Sequence, residues 1–156
     1  MNLRPYQKKD FAECLGIFRS NTPLYFAETE LESFMHYLKA PETYFVVTDE
    51  DQVIACGGVS VRGEQAALVW GMVARSRQRQ GVGAFLLQAR LAYIAKHHPT
   101  VRQITLQTTQ HAQGFYEKFG FVTQTVTWNA YAPQLHRYDM ALTVAAPQSP
   151  QAVYTG

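Results

Sequence analysis

Hydrophobic positions recur along this chain at two spacings, and the switch between them outlines a fold. Apolar residues alternate or run together at Tyr44 to Thr48, Val53 to Val61 and Ala66 to Val73, the pattern of strands buried in a sheet. The polar stretch Asp49-Glu50-Asp51-Gln52 makes the first two a hairpin, and Gly63-Glu64 turns the second into the third. Helical spacing at Phe11, Leu15 and Phe18 predicts a helix from about Asp10 to Ser20. The same spacing at Val82, Phe85, Leu86, Ala89 and Tyr93 predicts a longer one ending near His97-His98-Pro99. Thr29 stands three residues before Glu32, as in a capping box, so another helix is expected from Thr29 to about Leu38, ahead of Pro41. Beyond the long helix come a short strand at Ile104 to Gln107, a short helix from Ala112 ended by Gly120, and strands at Phe121 to Trp128 and Tyr138 to Thr143.

With a short strand near Leu3, these elements describe one mixed α/β domain over residues 1–144. Asn129 to His136, with Pro133, reads as a loop longer than a tight hairpin and able to cover a cleft. Residues 145–156, with Pro147, Ser149 and Pro150, have little to bury and are expected to be a disordered tail.

Composition narrows the partners. A chain of 156 residues is long enough for one core, and its formal charge of +2 is too small to argue for nucleic acid. No apolar run reaches membrane-spanning length and no signal-like core follows Met1 to Pro5, so a cytoplasmic location without a membrane partner is expected. Cys14 and Cys56 are too few for a disulfide framework and read as reduced core residues. His36, His97, His98 and His136 lack ligand-spaced partners, so no metal is expected.

The chemistry concentrates in Gln78-Arg79-Gln80-Gly81-Val82-Gly83-Ala84, which joins a strand to a helix. A helix N-terminus presents unpaired N–H groups and the positive end of the dipole. Gly81 and Gly83 add no side chain to hold an anion away, and Arg75, Arg77 and Arg79 add positive charge. The Gly-Lys-Ser/Thr of a triphosphate loop is absent, as is the third glycine of a dinucleotide fingerprint. By itself the segment is either a pyrophosphate cradle or a glycine turn into a helix.

Further along, Phe115-Tyr116-Glu117-Lys118-Phe119-Gly120-Phe121 completes a second pattern in the expected helix-to-strand context. Together the two stretches resemble the GNAT superfamily of acyl-CoA-dependent N-acyltransferases. Gln78 to Gly83 is similar to that family's Gln/Arg-x-x-Gly-x-Gly/Ala motif, and Phe115 to Phe121 to its Phe-Tyr-Glu-Lys-x-Gly-Phe signature. The resemblance spans roughly Asn2 to Thr143 and is strongest from Leu68 to Phe121. It implies a mixed sheet of six to seven strands, mostly antiparallel, with about four helices and a splay between the fourth and fifth strands. It also implies acetyl-CoA as co-substrate, a small-molecule or peptide amine as acceptor, and a monomer or homodimer.

The residues implied follow from the motif positions. Gln78, Arg79, Gln80, Gly81, Val82, Gly83 and Ala84 would hold the pyrophosphate of coenzyme A, and Thr109, His111 and Ala112 would border the cofactor. Thr109 departs from the family, which commonly has Asn there; His111 is either a cofactor contact or a solvent-facing residue at a helix start. The pantetheine arm would enter between the strands at Leu68 to Val73 and Ile104 to Gln107, opened by a bulge at Gly71, with the N–H near Met72 or Val73 as oxyanion donor. Tyr116 matches the position of the acid that protonates the departing thiolate, although a packing role accounts for it too. The family's strand glutamate is missing, since Ala66 to Val73 holds no carboxylate. Glu28 and Glu30 are then the candidates to bind the amine or take its proton, against the alternative of solvated helix-start acids. Tyr25, Phe26, Trp70 and Tyr131 either shape an acceptor pocket or pack. The implied activity is direct acetyl transfer to a primary amine in a ternary complex. The alternative is a non-catalytic acyl-CoA-binding sensor or interaction module.

Overall fold

The computed structural model describes residues 1–145, so the expected tail, 145–156, lies outside them but for Ala145. Seven strands form one sheet: β1 (Asn2–Pro5), β2 (Thr43–Asp49), β3 (Gln52–Arg62), β4 (Gln65–Val73), β5 (Gln103–Thr108), β6 (Val122–Ala132) and β7 (Leu135–Thr143). Their spatial order is β1-β2-β3-β4-β5-β7-β6, and every pairing is antiparallel except β4 with β5. Four α-helices among the described residues complete it: α1 (Phe11–Ser20), α2 (Leu31–Lys39), α3 (Val82–His97) and α4 (Gln113–Glu117). α1 and α2 cover one face with Cys14, Phe18, Phe34 and Leu38 against Val46, Cys56 and Met72. α3 and the α4 region cover the other, with Leu87, Ile94, Phe115 and Tyr116 against Val59, Leu68, Ile104 and Leu106.

The parallel pairing positions the site. β4 and β5 run together from Gln65↔Gln103 to Leu68↔Leu106, and no pairing continues beyond that point. The expected splay is therefore present, and it opens where β4 departs from regular geometry. Opposite Cys56 and Gly58 of β3 stand Met72 and Val69, so β4 carries one extra residue. Such a bulge reverses the facing of every side chain beyond it. Ala66 and Leu68 face α3, whereas Trp70 and Met72 pack with α1 and α2. Gly71 lies in this bulge as expected, beside Trp70, whose backbone is the left-handed one, φ 47°. The Tyr44 hydroxyl donates to the Trp70 carbonyl at 2.7 Å and ties the bulge to β2.

Several other expectations shift. A 3-10 turn, Lys8–Asp10, precedes α1, because the Asp10 carboxylate is drawn inward to Arg4, with paired contacts of 2.8 Å, and accepts from the Gln7 N–H. Thr29 does not cap α2. A 3-10 turn at Glu28–Glu30 comes first, and the Glu30 carboxylate accepts from the Ala27 N–H at 2.8 Å. The segment Asn129 to His136 is not a loop, since β6 runs to Ala132 and β7 restarts at Leu135, with a bulge between Thr127 and Ala132 absorbing the extra residues. Gln110 holds this hairpin tip to the segment before α4, donating to the Gln134 carbonyl and accepting from the His136 N–H. On α3 the buried side is Val82, Leu86, Leu87, Arg90 and Ile94, one step away from the predicted Ala89 and Tyr93. A charged side chain at a core position is what hid it from the periodicity.

Candidate active site

A cavity of about 720 Å³ follows the parting of β4 from β5. Leu68 to Gly71 form one wall and Leu106 to Thr109 the other, with Tyr116, Arg90, Glu30 and Tyr131 among the side chains around it. The orientation of the β4 backbone is set by one bond: the Ala74 N–H donates to Ile54 of β3 at 2.8 Å. By strand alternation the Val73 N–H then points away from β3, to the side that β5 has left, and the Met72 N–H points toward β3. Of the two amides expected near the cleft, that of Val73 is the one turned away from β3, and neither residue lines the cavity itself. Met72 contributes a buried side chain to the core.

The loop beyond β4 is held from α1. Asn21, buried at the end of that helix, donates Nδ2 to the Val73 carbonyl and to the Ile17 carbonyl, and its Oδ1 accepts from Gln78 at 2.8 Å. Ser20 Oγ accepts from the Arg75 N–H. The Gln78 side chain is thus a structural tie between loop and helix, and Asn21 is an anchor of the candidate site that the sequence reading missed. No motif marks an asparagine whose partners lie more than fifty positions away.

Arg79 and Gly81 adopt left-handed backbone, φ 65° and 82°, and Gly81 begins α3. The first intrahelical bond runs from the Phe85 N–H to the Gly81 carbonyl, leaving the N–H groups of Val82, Gly83 and Ala84 for another acceptor. Gly83 lies against the α4 segment, where an added Cβ would stand 3.4 Å from the Phe115 ring. Gln80 is exposed, with a long 3.4 Å contact to the Ser76 carbonyl. The arginines divide: Arg77 pairs with Asp49 at 2.9 Å, Arg75 lies 5.5 Å over the Tyr25 ring, and Arg79 is exposed without an ion pair among the described residues. The loop therefore offers an anion three amides and one free cation, a donor set that fits a pyrophosphate.

Across the gap, buried Thr109 organises the start of α4. Its carbonyl accepts from Ala112 and Gln113, and its Oγ1 accepts from the His111 N–H at 3.2 Å. His111 is exposed and meets Tyr25 edge-on, 6.2 Å between ring centres. The Ala112 carbonyl accepts from Phe115, starting the short helix that presents Tyr116. Tyr116 packs edge-on against Phe115 and Phe121 while lining the cavity. Gly120, φ 93°, then turns the chain toward β6.

The two acidic candidates separate. Glu28 is exposed and outside the cavity; Glu30 lines it beside Phe26, Trp70 and Tyr131. Burial pushes the Glu30 carboxyl above its ordinary range, partly opposed by the Ala27 N–H. Burial also pushes the Tyr131 phenol up, with Glu30 adding to the shift. Cys14 and Cys56 are both free and fully buried, and the neighbouring Cys56 thiol, together with burial, holds the Cys14 thiol far above the usual thiol range. Neither reaches the cavity.

Among solved structures, the chain is similar to the ribosomal-protein-S18-alanine N-acetyltransferase from Escherichia coli, with TM-score 0.79 and 20% identity over 96% of this chain and 97% of that one. An aminoglycoside 6'-N-acetyltransferase complexed with coenzyme A gives TM-score 0.75 and 17% identity over 95% and 100%. Ard1 from Thermoplasma volcanium gives TM-score 0.76 and 22% identity over 92% and 97%. At these identities the likeness is one of fold. No curated protein sequence matches the chain. No helix among the described residues is long and apolar enough to cross a membrane. The model of the acetyltransferase (GNAT) domain family matches residues 6–153, nearly the whole length, and the chain belongs to that family of acyltransferases.

Proposed function

We propose that the chain moves the acetyl group of acetyl-CoA to a primary amine, on a small molecule or a peptide, by direct attack within a ternary complex. The observation that carries the proposal is the gap beyond Leu68↔Leu106 with Tyr116 on its wall, and the alternation that turns the Val73 N–H away from β3 supports it. When bound, acetyl-CoA supplies an activated thioester. The amides of Val82, Gly83 and Ala84, with Arg79, hold the pyrophosphate, and the Val73 N–H bonds the acetyl oxygen as negative charge develops there. Tyr116 gives its proton to the sulfur as the carbon–sulfur bond breaks.

Glu30 takes the proton of the amine. One of its oxygens, Oε2, is occupied by the Ala27 N–H, and Oε1 has no partner among the described residues. A carboxyl raised by burial is better matched to proton transfer near neutral pH than an ordinary one. Phe26, Trp70 and Tyr131 around it suit an acceptor whose ammonium carries an apolar neighbour. The relatives named above act on a ribosomal-protein alanine and on an aminoglycoside, so both peptide and sugar amines belong in the first panel. Burial of both cysteines argues against an acyl-enzyme, which needs a reachable nucleophile.

The test is release of free thiol from acetyl-CoA in the presence of primary amines, peptides and aminoglycosides. Acceptor-dependent release with intersecting initial-velocity lines is expected. Parallel lines with an acetylated protein by mass would contradict the ternary complex, and confirmed acetyl-CoA binding with no transfer to any acceptor would contradict the transferase reading.

A further inference from the structure

Arg90 is the charged member of the buried face of α3, 2% exposed, and no step above uses it. Its guanidinium fills a hollow that two glycines on neighbouring strands leave open. A Cβ on Gly57 would stand 3.1 Å from Cζ, and one on Gly71 would stand 2.8 Å from Nη2. Its hydrogen bonding is incomplete: Nη1 donates to the Gly58 carbonyl at a long 3.3 Å, and buried Nε has no partner among the described residues. The ionisable groups acting on it include the Tyr116, Tyr44 and Tyr37 phenols and the Cys56 thiol, and it forms no ion pair with a carboxylate among the described residues. Burial lowers its pKa, with Tyr116 the foremost opposing group, yet a guanidinium remains charged at working pH.

A buried cation without a carboxylate is not retained for stability, because an apolar side chain of similar length usually serves as well or better. The fold has instead removed two side chains to seat this one in the wall of the cleft that Tyr116, assigned as proton donor, also lines. We propose that Arg90 is a positioning residue for the leaving-group step, holding the Tyr116 hydroxyl toward the thioester sulfur and stabilising the oxygen that loses its proton. The step balances as follows: the carbon–sulfur bond breaks with its electron pair going to sulfur, the proton moves from Tyr116 Oη to sulfur, and the phenolate faces the Arg90 guanidinium until a solvent proton restores it. The proposal rests on Tyr116 being the donor.

The experiment is a double-mutant cycle of Arg90→Met and Tyr116→Phe, with Arg90→Lys and Gly71→Ala as companions. Turnover, acetyl-CoA affinity by calorimetry and melting temperature are measured on each. Arg90→Met should lower kcat about tenfold or more, the scale of one charge-assisted hydrogen bond, with acetyl-CoA affinity held and melting temperature unchanged or raised. In the Tyr116→Phe background the same substitution should cost little further, because the two act as a unit. Arg90→Lys should recover part of the loss. Gly71→Ala, whose methyl displaces the guanidinium, should reproduce it. A readout independent of turnover is the affinity of coenzyme A relative to desulfo-coenzyme A, which lacks the sulfur; the ratio should fall toward one in Arg90→Met.

Additive losses in the cycle, or a lowered melting temperature with kcat intact, would overturn the role of Arg90 while leaving Tyr116 in place. Wild-type turnover in Tyr116→Phe would instead overturn the donor assignment itself, and the two failures are told apart by the single variants.

Discussion

At the scale of single residues, the site divides into groups whose chemistry is local and groups whose chemistry is made by burial. Tyr116 and the loop glycines belong to the first kind. Their spacing and neighbours could be read along the chain, and the structure brings Gly81 and Gly83 to the start of α3 and Tyr116 to the cavity wall. Arg90 and Glu30 belong to the second. An arginine on an amphipathic helix reads as solvated, and only the hollow left by Gly57 and Gly71 makes it a buried cation. Glu28 and Glu30 were indistinguishable as helix-start acids, because which of them turns inward depends on the 3-10 turn before α2.

A consequence is testable by pH. A base whose folded pKa is raised stays protonated to a higher pH, so acetyl transfer should rise with pH along a limb above the ordinary carboxylate range. Glu30→Gln should remove that limb and lower kcat by about 10²-fold, whereas Glu28→Gln should behave as wild type. A retained limb in Glu30→Gln, followed in initial rates across pH, would assign the base elsewhere.

At the scale of elements, the cleft exists because β4 carries an extra residue and then leaves its neighbour. Element types were legible in the alternating and helical spacings, and so was the hairpin order before the loop. The bulge was expected from Gly71 because glycine is the usual holder of unusual backbone. Tyr44 supports the Trp70 carbonyl from β2, a contact twenty-six positions away that no local rule contains, and Gly71 is kept free for Arg90. The hairpin of β6 and β7 was underestimated for a related reason: Pro133 and a run of polar residues read as loop, while cross-strand pairing and Gln110 carry the strands through.

Asn21 joins these elements, bonding the end of β4 and the loop before α3 with one amide. Asn21→Ala leaves the Val73 carbonyl and Gln78 without it, which should cost about 1–3 kcal/mol of stability. It should also weaken acetyl-CoA binding, since the loop loses its anchor. Calorimetric titration beside a denaturant melt separates the two effects, and unchanged affinity at reduced stability would show that the clamp serves the fold alone.

At the scale of the whole molecule, α1 and α2 close one face of the sheet and α3 and α4 the other, and the first strand is fastened by charge. β1 lies at the sheet edge, and Arg4 from it reaches buried Asp10 ahead of α1. The Arg4 hydrogen bonds, with the Gln7 N–H and against burial, hold the Asp10 carboxyl below its ordinary value. A depressed carboxyl contributes stability that is fully present above its unfolded pKa, near ~4, and is lost as pH falls through the lower folded value. Asp10→Asn should therefore destabilise the protein at neutral pH and flatten its loss of stability in acid. Melting curves between neutral and acidic pH provide the check, and parallel acid profiles for the two proteins would remove this pair from the account.

The most direct measurement on the central assignment is turnover and acetyl-CoA affinity for Tyr116→Phe with an accepted amine. The account predicts kcat reduced by about 10²-fold with acetyl-CoA affinity nearly unchanged, because the phenol acts on the leaving sulfur and the amides of α3 do the holding. Wild-type turnover in this variant, or a loss confined to acetyl-CoA affinity, would contradict it.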